Sequence, residues 1–216
     1  MIVDFDTFRA AQPRKTPYPH VIVPEFLNPA GASRIIADYP KVDVGGVFMP
    51  DASPYGPAVA QLIVDLESPA MRHLVEEKLD LDLSGRPALT TFRSRCRLRD
   101  GRIHTDSKFK LATVLLYINQ SWEPSGGRLR VLRSGDNIDD YVDEVPPDGG
   151  TLFCFKVQDN SWHGHRPFEG VRRCVMVNYC VDEVVRDSEA ARHRLSMRWK
   201  KFSKFFSGGG AHEQAV

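Results

Sequence analysis

Two short stretches carry donor atoms at a spacing that suits metal chemistry. The first is His104-Thr105-Asp106. In an extended segment residues i and i+2 point to the same side, so an imidazole and a carboxylate here can aim at one point. The second is Trp162-His163-Gly164-His165, much later in the chain. Brought together, they supply two histidines and one carboxylate. Such a set takes one face of a six-coordinate ion and leaves the other open, which suits ferrous iron. Taken alone, H-x-D arises often by chance and equally describes a hydrogen-bonded loop histidine beside a solvated aspartate. A third feature adds to it: Arg172 lies nine residues after His163. On the run Arg172–Val181, Arg172, Cys174, Met176 and Asn178 share one face, and Val175, Val177, Tyr179 and Val181 share the other. The first face would line a cavity and the second would pack on a helix layer. A buried guanidinium needs an anion, and a dicarboxylate supplies one bidentately.

The elements that must position these residues lie mostly beyond Pro87. Apolar segments Leu89–Leu98, Leu111–Asn119, Arg128–Leu132, Gly150–Val157 and Val171–Val181 alternate with Gly and Pro turn signals. Strands at this spacing predict a sandwich or jelly-roll barrel. Ahead of them PYPHVIVPEFLNP contains a strand. Asn28-Pro29 then caps and starts a helix that runs to about Tyr39, stopping before Pro40. Two more helices follow, Ala58 to Leu66 and, from the cap Ser68-Pro69, to about Leu79. The opening 15 residues are expected to be loose. The resulting fold class is α+β, mainly β: a double-stranded β-helix (jelly-roll) barrel with N-terminal helices packed on one sheet. It is expected to form a single domain, with a lead-in over about 17–85, a barrel core over about 86–184, a helix over about 187–206 and a tail over 207–216.

Composition excludes several classes. The chain has 216 residues, 42% apolar and 26% charged, which is ordinary globular usage rather than disorder or a collagen-like repeat. Its net charge of +1 is no footprint for nucleic-acid binding. The longest apolar stretch, Leu111 to Ile118, is too short to cross a bilayer, and MIVDFDTFRA lacks the apolar core of a signal peptide. Cys96, Cys154, Cys174 and Cys180 show no C-x-x-C spacing and read as buried, reduced thiols of a cytoplasmic protein.

Two longer passages carry a family resemblance: HTDSKFKLATVLLYINQSWEPSGGRLRVL and GGTLFCFKVQDNSWHGHRPFEGVRRCVMVNY. With H-x-D, Tyr117 before Ile118-Asn119, the Gly126-Gly127-x-Leu strand and His163 four residues before Pro167, the sequence resembles the Fe(II)/2-oxoglutarate-dependent oxygenases, in their prolyl-4-hydroxylase-like branch. The resemblance covers about Pro19 to Val181. It implies that His104, Asp106 and His163 ligate Fe(II), with His165 the alternative to His163. It implies that Arg172 binds the distal carboxylate of 2-oxoglutarate, with Arg173 the alternative, helped by Tyr117 and with Thr113 lining the same pocket. The activity implied is a dioxygenase that hydroxylates a substrate C–H, consumes 2-oxoglutarate and O2, and releases succinate and CO2, with ascorbate as a further cofactor. Tyr117 is equally accounted for by core packing. Outside the resemblance stand a cupin-like metalloenzyme without 2-oxoglutarate and a barrel that recognises rather than reacts.

The substrate is open: peptidyl proline, another side chain, or an anionic metabolite. Arg93, Arg95, Arg97 and Arg99 alternate along the strand before His104. If that face lines the barrel mouth, Arg95 and Arg97 bind an anionic substrate. If it is the outer face, they are a solvated edge. Arginines here depart from the family, which usually places tyrosine toward the metal. Finally, Leu195, Trp199, Phe202 and Phe206 recur at helical spacing with Arg198, Lys200, Lys201 and Lys204 between them. This basic amphipathic helix is expected to pack its stripe on the barrel or a second subunit, or else to meet a membrane surface or acidic partner. The GGGAHEQAV that follows reads as a disordered tail.

Overall fold

The computed structural model describes residues 2–208, with side chains through residue 199. Among these, the strands are β1 (His20–Val23), β2 (Val47–Phe48), β3 (Ala88–Cys96), β4 (Lys110–Tyr117), β5 (Leu129–Leu132), β6 (Tyr141–Val145), β7 (Leu152–Lys156), β8 (His163–His165) and β9 (Gly170–Cys180). The α-helices are α1 (Phe5–Ala10), α2 (Pro29–Asp38), α3 (Pro57–Leu66), α4 (Pro69–Leu79) and α5 (Glu183–Gly208). Hydrogen bonding sorts the strands into an antiparallel six-stranded sheet, β1-β7-β4-β9-β3-β2, and a three-stranded sheet, β6-β5-β8. The fold is the double-stranded β-helix expected, with the N-terminal helices on one sheet.

The local reasons are those the sequence carries. The Asn28 side chain accepts from the Gly31 amide at 2.7 Å, and Pro29 opens α2. Ser68 and Pro69 start α4 in the same way, and Asp80 ends it in the left-handed region at φ 52°. Strict alternation divides the large sheet. Ala112, Val114 and Leu116 of β4 and Val175, Val177 and Tyr179 of β9 pack beneath the helices. Their neighbours Leu115, Tyr117 and Cys174 face the small sheet, with Leu129, Val131 and Val145 opposite.

Four expectations are corrected. The opening residues are not loose. Val3 bridges Leu27, Asp4 caps α1, and Phe8 is fully buried against the edge of Phe26. A six-residue helix has no stability of its own, so packing alone makes it. Strands β2, β6 and β8 were not expected from the pattern. The first has two residues, β6 carries Asp143 and Glu144 on an edge, and β8 is His-Gly-His. Helix α5 begins at Glu183, where Asp182 accepts from the Val185 amide, rather than near 187. Among the described residues of its apolar stripe, Leu195 and Trp199 do not pack on the barrel, being 58% and 68% exposed, whereas Ala190 and Met197 are buried. Phe202 and Phe206 are side chains outside the described set, and residues 209–216 of the expected tail lie outside the described residues. All four cysteines are buried and free. No helix among the described residues is long and apolar enough to cross a membrane.

Candidate active site

The cavity between the sheets is floored by β3, β4 and β9, and register sets its rows. Leu89, Asn178 and Thr113 form one row, Thr91, Met176 and Leu115 the next, and Arg93, Cys174 and Tyr117 the third. Arg172 follows on β9, and β8 closes the other side with His163 and His165.

His104, Asp106 and His163 converge at the cavity. A donor atom from each lies within 4.8 Å of the others. They meet because the loop before His104 is zipped to β8. The His104 amide donates to the His163 carbonyl and the His163 amide to the His104 carbonyl, both at 3.0 Å. Side-chain bonds then fix the tautomers. His104 Nδ1 lies 2.8 Å from the Arg102 carbonyl and His163 Nδ1 2.9 Å from the Ser161 carbonyl. A carbonyl only accepts, so each Nδ1 carries the proton and each Nε2 keeps a lone pair for a metal. Burial, with His104 beside it, pushes His163 down to about 4, so it is neutral at pH 7. Burial works against the Asp106 charge, but Lys110, His163 and Thr113 outweigh it and hold the carboxyl below its usual value. Lys110 Nζ donates to Asp106 Oδ1 at 3.1 Å and the Thr113 hydroxyl to Oδ2 at 2.6 Å. Thr113 also lies 3.0 Å from the Asn178 amide group. The hydroxyl has one proton to give, to Asp106 Oδ2 at the shorter distance or to Asn178 Oδ1 at the longer.

Arg172 is fully enclosed. Its Nε donates to the Gly127 carbonyl at 2.7 Å and one Nη to the Tyr117 hydroxyl at 3.0 Å. Burial opposes its charge, and the groups favouring that charge are Tyr117, Cys96 and Cys174, none of them a carboxylate. Burial pushes Tyr117 up to about 12 despite Arg172, so its hydroxyl keeps a proton to donate. Arg173 turns the other way, over the Tyr39 ring on the helix side. His165 lines the cavity but stands outside the trio. Its Nδ1 bonds the Arg166 carbonyl at 2.8 Å, and its ring fills the space beneath Gly101, where a Cβ would overlap it.

The four arginines before His104 do not share one face. Between Arg93 and Arg95 the register slips, so that Arg93 faces Cys174 but Arg95 faces Val171. Beyond the slip Cys96 turns inward, 3.8 Å from the Arg93 guanidinium, and Arg95 lies outside, paired with Asp43 at 3.0 Å. Arg97 pairs with Asp100 and does not line the cavity. Of this set, Arg93 lines it. Sequence reasoning missed Lys110, whose spacing of four from Asp106 is a signal. It also missed Glu189, Arg192 and His193 of α5, which line the mouth. Their helical spacing puts them on one face, but nothing local says that this face meets the cavity.

Comparison with known proteins bears on the same stretch. Residues 95–180 match the family model of the 2OG-Fe(II) oxygenase superfamily. No curated protein matches the chain. Among solved structures, the chain is similar to a prolyl-4-hydroxylase of Pseudomonas putida at 17% identity and a TM-score of 0.53, over 83% of this chain and 97% of that one. It is similar to a viral collagen prolyl hydroxylase of Paramecium Bursaria Chlorella virus-1, in a 2OG complex, at 13% and 0.50, over 76% and 96%. It is also similar to HygX of Streptomyces hygroscopicus, with nickel and 2-oxoglutarate bound, at 12% and 0.52, over 74% and 81%. At such identities the structural likeness is one of fold. The family match is one of sequence, and the residues it covers, 95–180, include the trio and Arg172.

Proposed function

We propose that this protein is an Fe(II)- and 2-oxoglutarate-dependent dioxygenase that hydroxylates a substrate C–H. The observation that carries the reading is Arg172, a buried guanidinium with no carboxylate on it, in the cavity that holds two imidazoles and a carboxylate. The donor set fits the metal: Nε2 of His104, Nε2 of His163 and the Asp106 carboxylate leave coordination positions open. Bound there with O2 and 2-oxoglutarate, iron supplies the oxidation that yields succinate, CO2 and a hydroxylated product. Arg172 and the Tyr117 hydroxyl seat the distal carboxylate of the cosubstrate. Thr113 acts through Asp106, holding one carboxylate oxygen and so orienting the other. The Arg102 and Ser161 carbonyls hold the two rings in their ligating tautomer.

The lead-in and the barrel share one apolar cluster, which supports a single domain. Four free thiols accord with a cytoplasmic location. Arg93, Lys110 and Arg192 line the walls, and each is paired with a carboxylate, Asp100, Asp106 and Glu189 respectively. Arg95 and Arg97 stand outside the cavity, paired with Asp43 and Asp100, which disfavours them as substrate-binding residues.

The test is anaerobic. Fe(II) and then 2-oxoglutarate are added to the protein, and the weak visible charge-transfer band of a chelated keto acid is followed. The band is expected in the wild type and in His165→Ala and is lost in His163→Ala. Iron binding with no response to 2-oxoglutarate overturns the proposal in favour of a cupin-like metalloenzyme.

A further inference from the structure

Helix α5 has two apolar faces, and the sheet uses one. Ala190 and Met197 are buried, and Glu189 and His193 on the same side reach the cavity mouth. On the opposite side Val184, Leu195 and Trp199 are 79%, 58% and 68% exposed. At about 100° per residue these three fall within a narrow band facing away from Ala190 and Met197. Phe202 and Phe206 continue the same spacing in the sequence. Exposed single apolar residues are ordinary, but a row with a largely exposed tryptophan along one helix line is not.

Charge decides what covers this face. Residues 190–208 contain six Arg and Lys and no Asp or Glu, in a chain whose net charge is +1. The acids of α5, Glu183, Asp187 and Glu189, lie in its first turns, and Glu189 is already paired with Arg192. Two copies of so uniformly basic a segment repel each other, so self-association through this face is opposed. An exposed line of Val184, Leu195 and Trp199, on a segment whose sequence is rich in Arg and Lys, fits an interface of hydrocarbon and anionic headgroups. There aromatic rings sit at headgroup level and Lys and Arg stems reach outward. We propose that the outer face of α5 docks the protein on an anionic lipid surface. The face lies on the helix whose inner side lines the cavity mouth, so docking places that mouth close to the membrane.

The probe is sedimentation with vesicles of phosphatidylcholine alone and of phosphatidylcholine with about 30% phosphatidylserine. Wild-type protein is expected to bind the mixed vesicles at least ~10-fold more than the neutral ones, and to release them at about 0.5 M salt. Leu195→Ser with Trp199→Ser is expected to abolish binding while leaving Fe(II) and 2-oxoglutarate binding unchanged, which certifies the fold and separates this test from that of the catalytic reading. Lys200→Glu with Lys201→Glu is expected to weaken binding to the mixed vesicles. No binding to the mixed vesicles overturns the proposal, as does equal binding to both. A wild-type dimer in solution that Leu195→Ser converts to monomer assigns the face to a second copy and also overturns it. So does retention on polyglutamate without vesicle binding, which assigns it to an acidic protein.

Discussion

Replacing Arg172 with Met separates the cost of binding 2-oxoglutarate from the cost of folding. Within the chain the guanidinium is enclosed with no carboxylate, and two of its five N–H groups are used, on Gly127 and Tyr117. The remaining donors form a fork that a carboxylate can accept bidentately. Removing one partner of such a buried charge pair costs about 2–4 kcal/mol of binding, or roughly 30- to 1000-fold in Kd. Folding moves differently. Loss of an uncompensated buried charge stabilises, while two acceptors left without donors cost about 1–3 kcal/mol each, so the terms largely cancel. The assay is calorimetric titration of 2-oxoglutarate into the Mn(II)-loaded protein, alongside urea denaturation of the metal-free protein. The expected result is a large loss of cosubstrate affinity with little change in stability. Arg172→Lys keeps the charge but not the fork and falls between. Cosubstrate affinity within about threefold of wild type in Arg172→Met refutes the assignment, because a seated carboxylate cannot lose its buried partner so cheaply.

Three further outcomes are expected. Thr113→Val removes the hydroxyl on Asp106 Oδ2 while keeping shape, and should weaken Mn(II) binding by about 10- to 100-fold in calorimetry with the fold intact. His163 and His165 are both pushed down to about 4 by burial, so the unfolded chain binds more protons between pH 4 and 6.5. The metal-free protein should therefore gain stability as pH rises through that window, hold it above 6.5, and lose part of the slope in His165→Asn, as read by urea melts across pH. Gly101→Ala should destabilise by about 1–3 kcal/mol in the same melts, because Gly101 sits at φ +80° against the His165 ring. Gly85→Ala, at φ +65° in open space, carries only the backbone strain and should cost less.

Legibility in the sequence followed the range of the interactions. Helix starts at Asn28-Pro29 and Ser68-Pro69 were readable because a cap is a contact within three residues. The cavity face of β9 was readable because the backbone imposes a period of two, and the pairing of β9 with β4 keeps that period from Cys174 to Tyr179. The same reasoning failed on β3, where a slip against β9 sends Arg95 out and Cys96 in, and only the partner strand contains the cause. Helix α1 was missed because its stability comes from Phe26 and its neighbours rather than from its six residues.

By itself the sequence determined the chemical types at the site: the His104 and Asp106 spacing, the candidate His163, the arginine nine residues on, and the strands bearing them. These follow from covalent geometry and side-chain chemistry, which are local. Only the tertiary structure decided the rest. It chose His163 over His165 for the trio and Arg172 over Arg173 for the cavity, through the bridge between His104 and His163 and the facing of β9. It also brought Lys110 to Asp106 and α5 to the mouth. Those choices depend on which strand pairs with which and in what register, and pairing energy is summed over residues far apart in the chain.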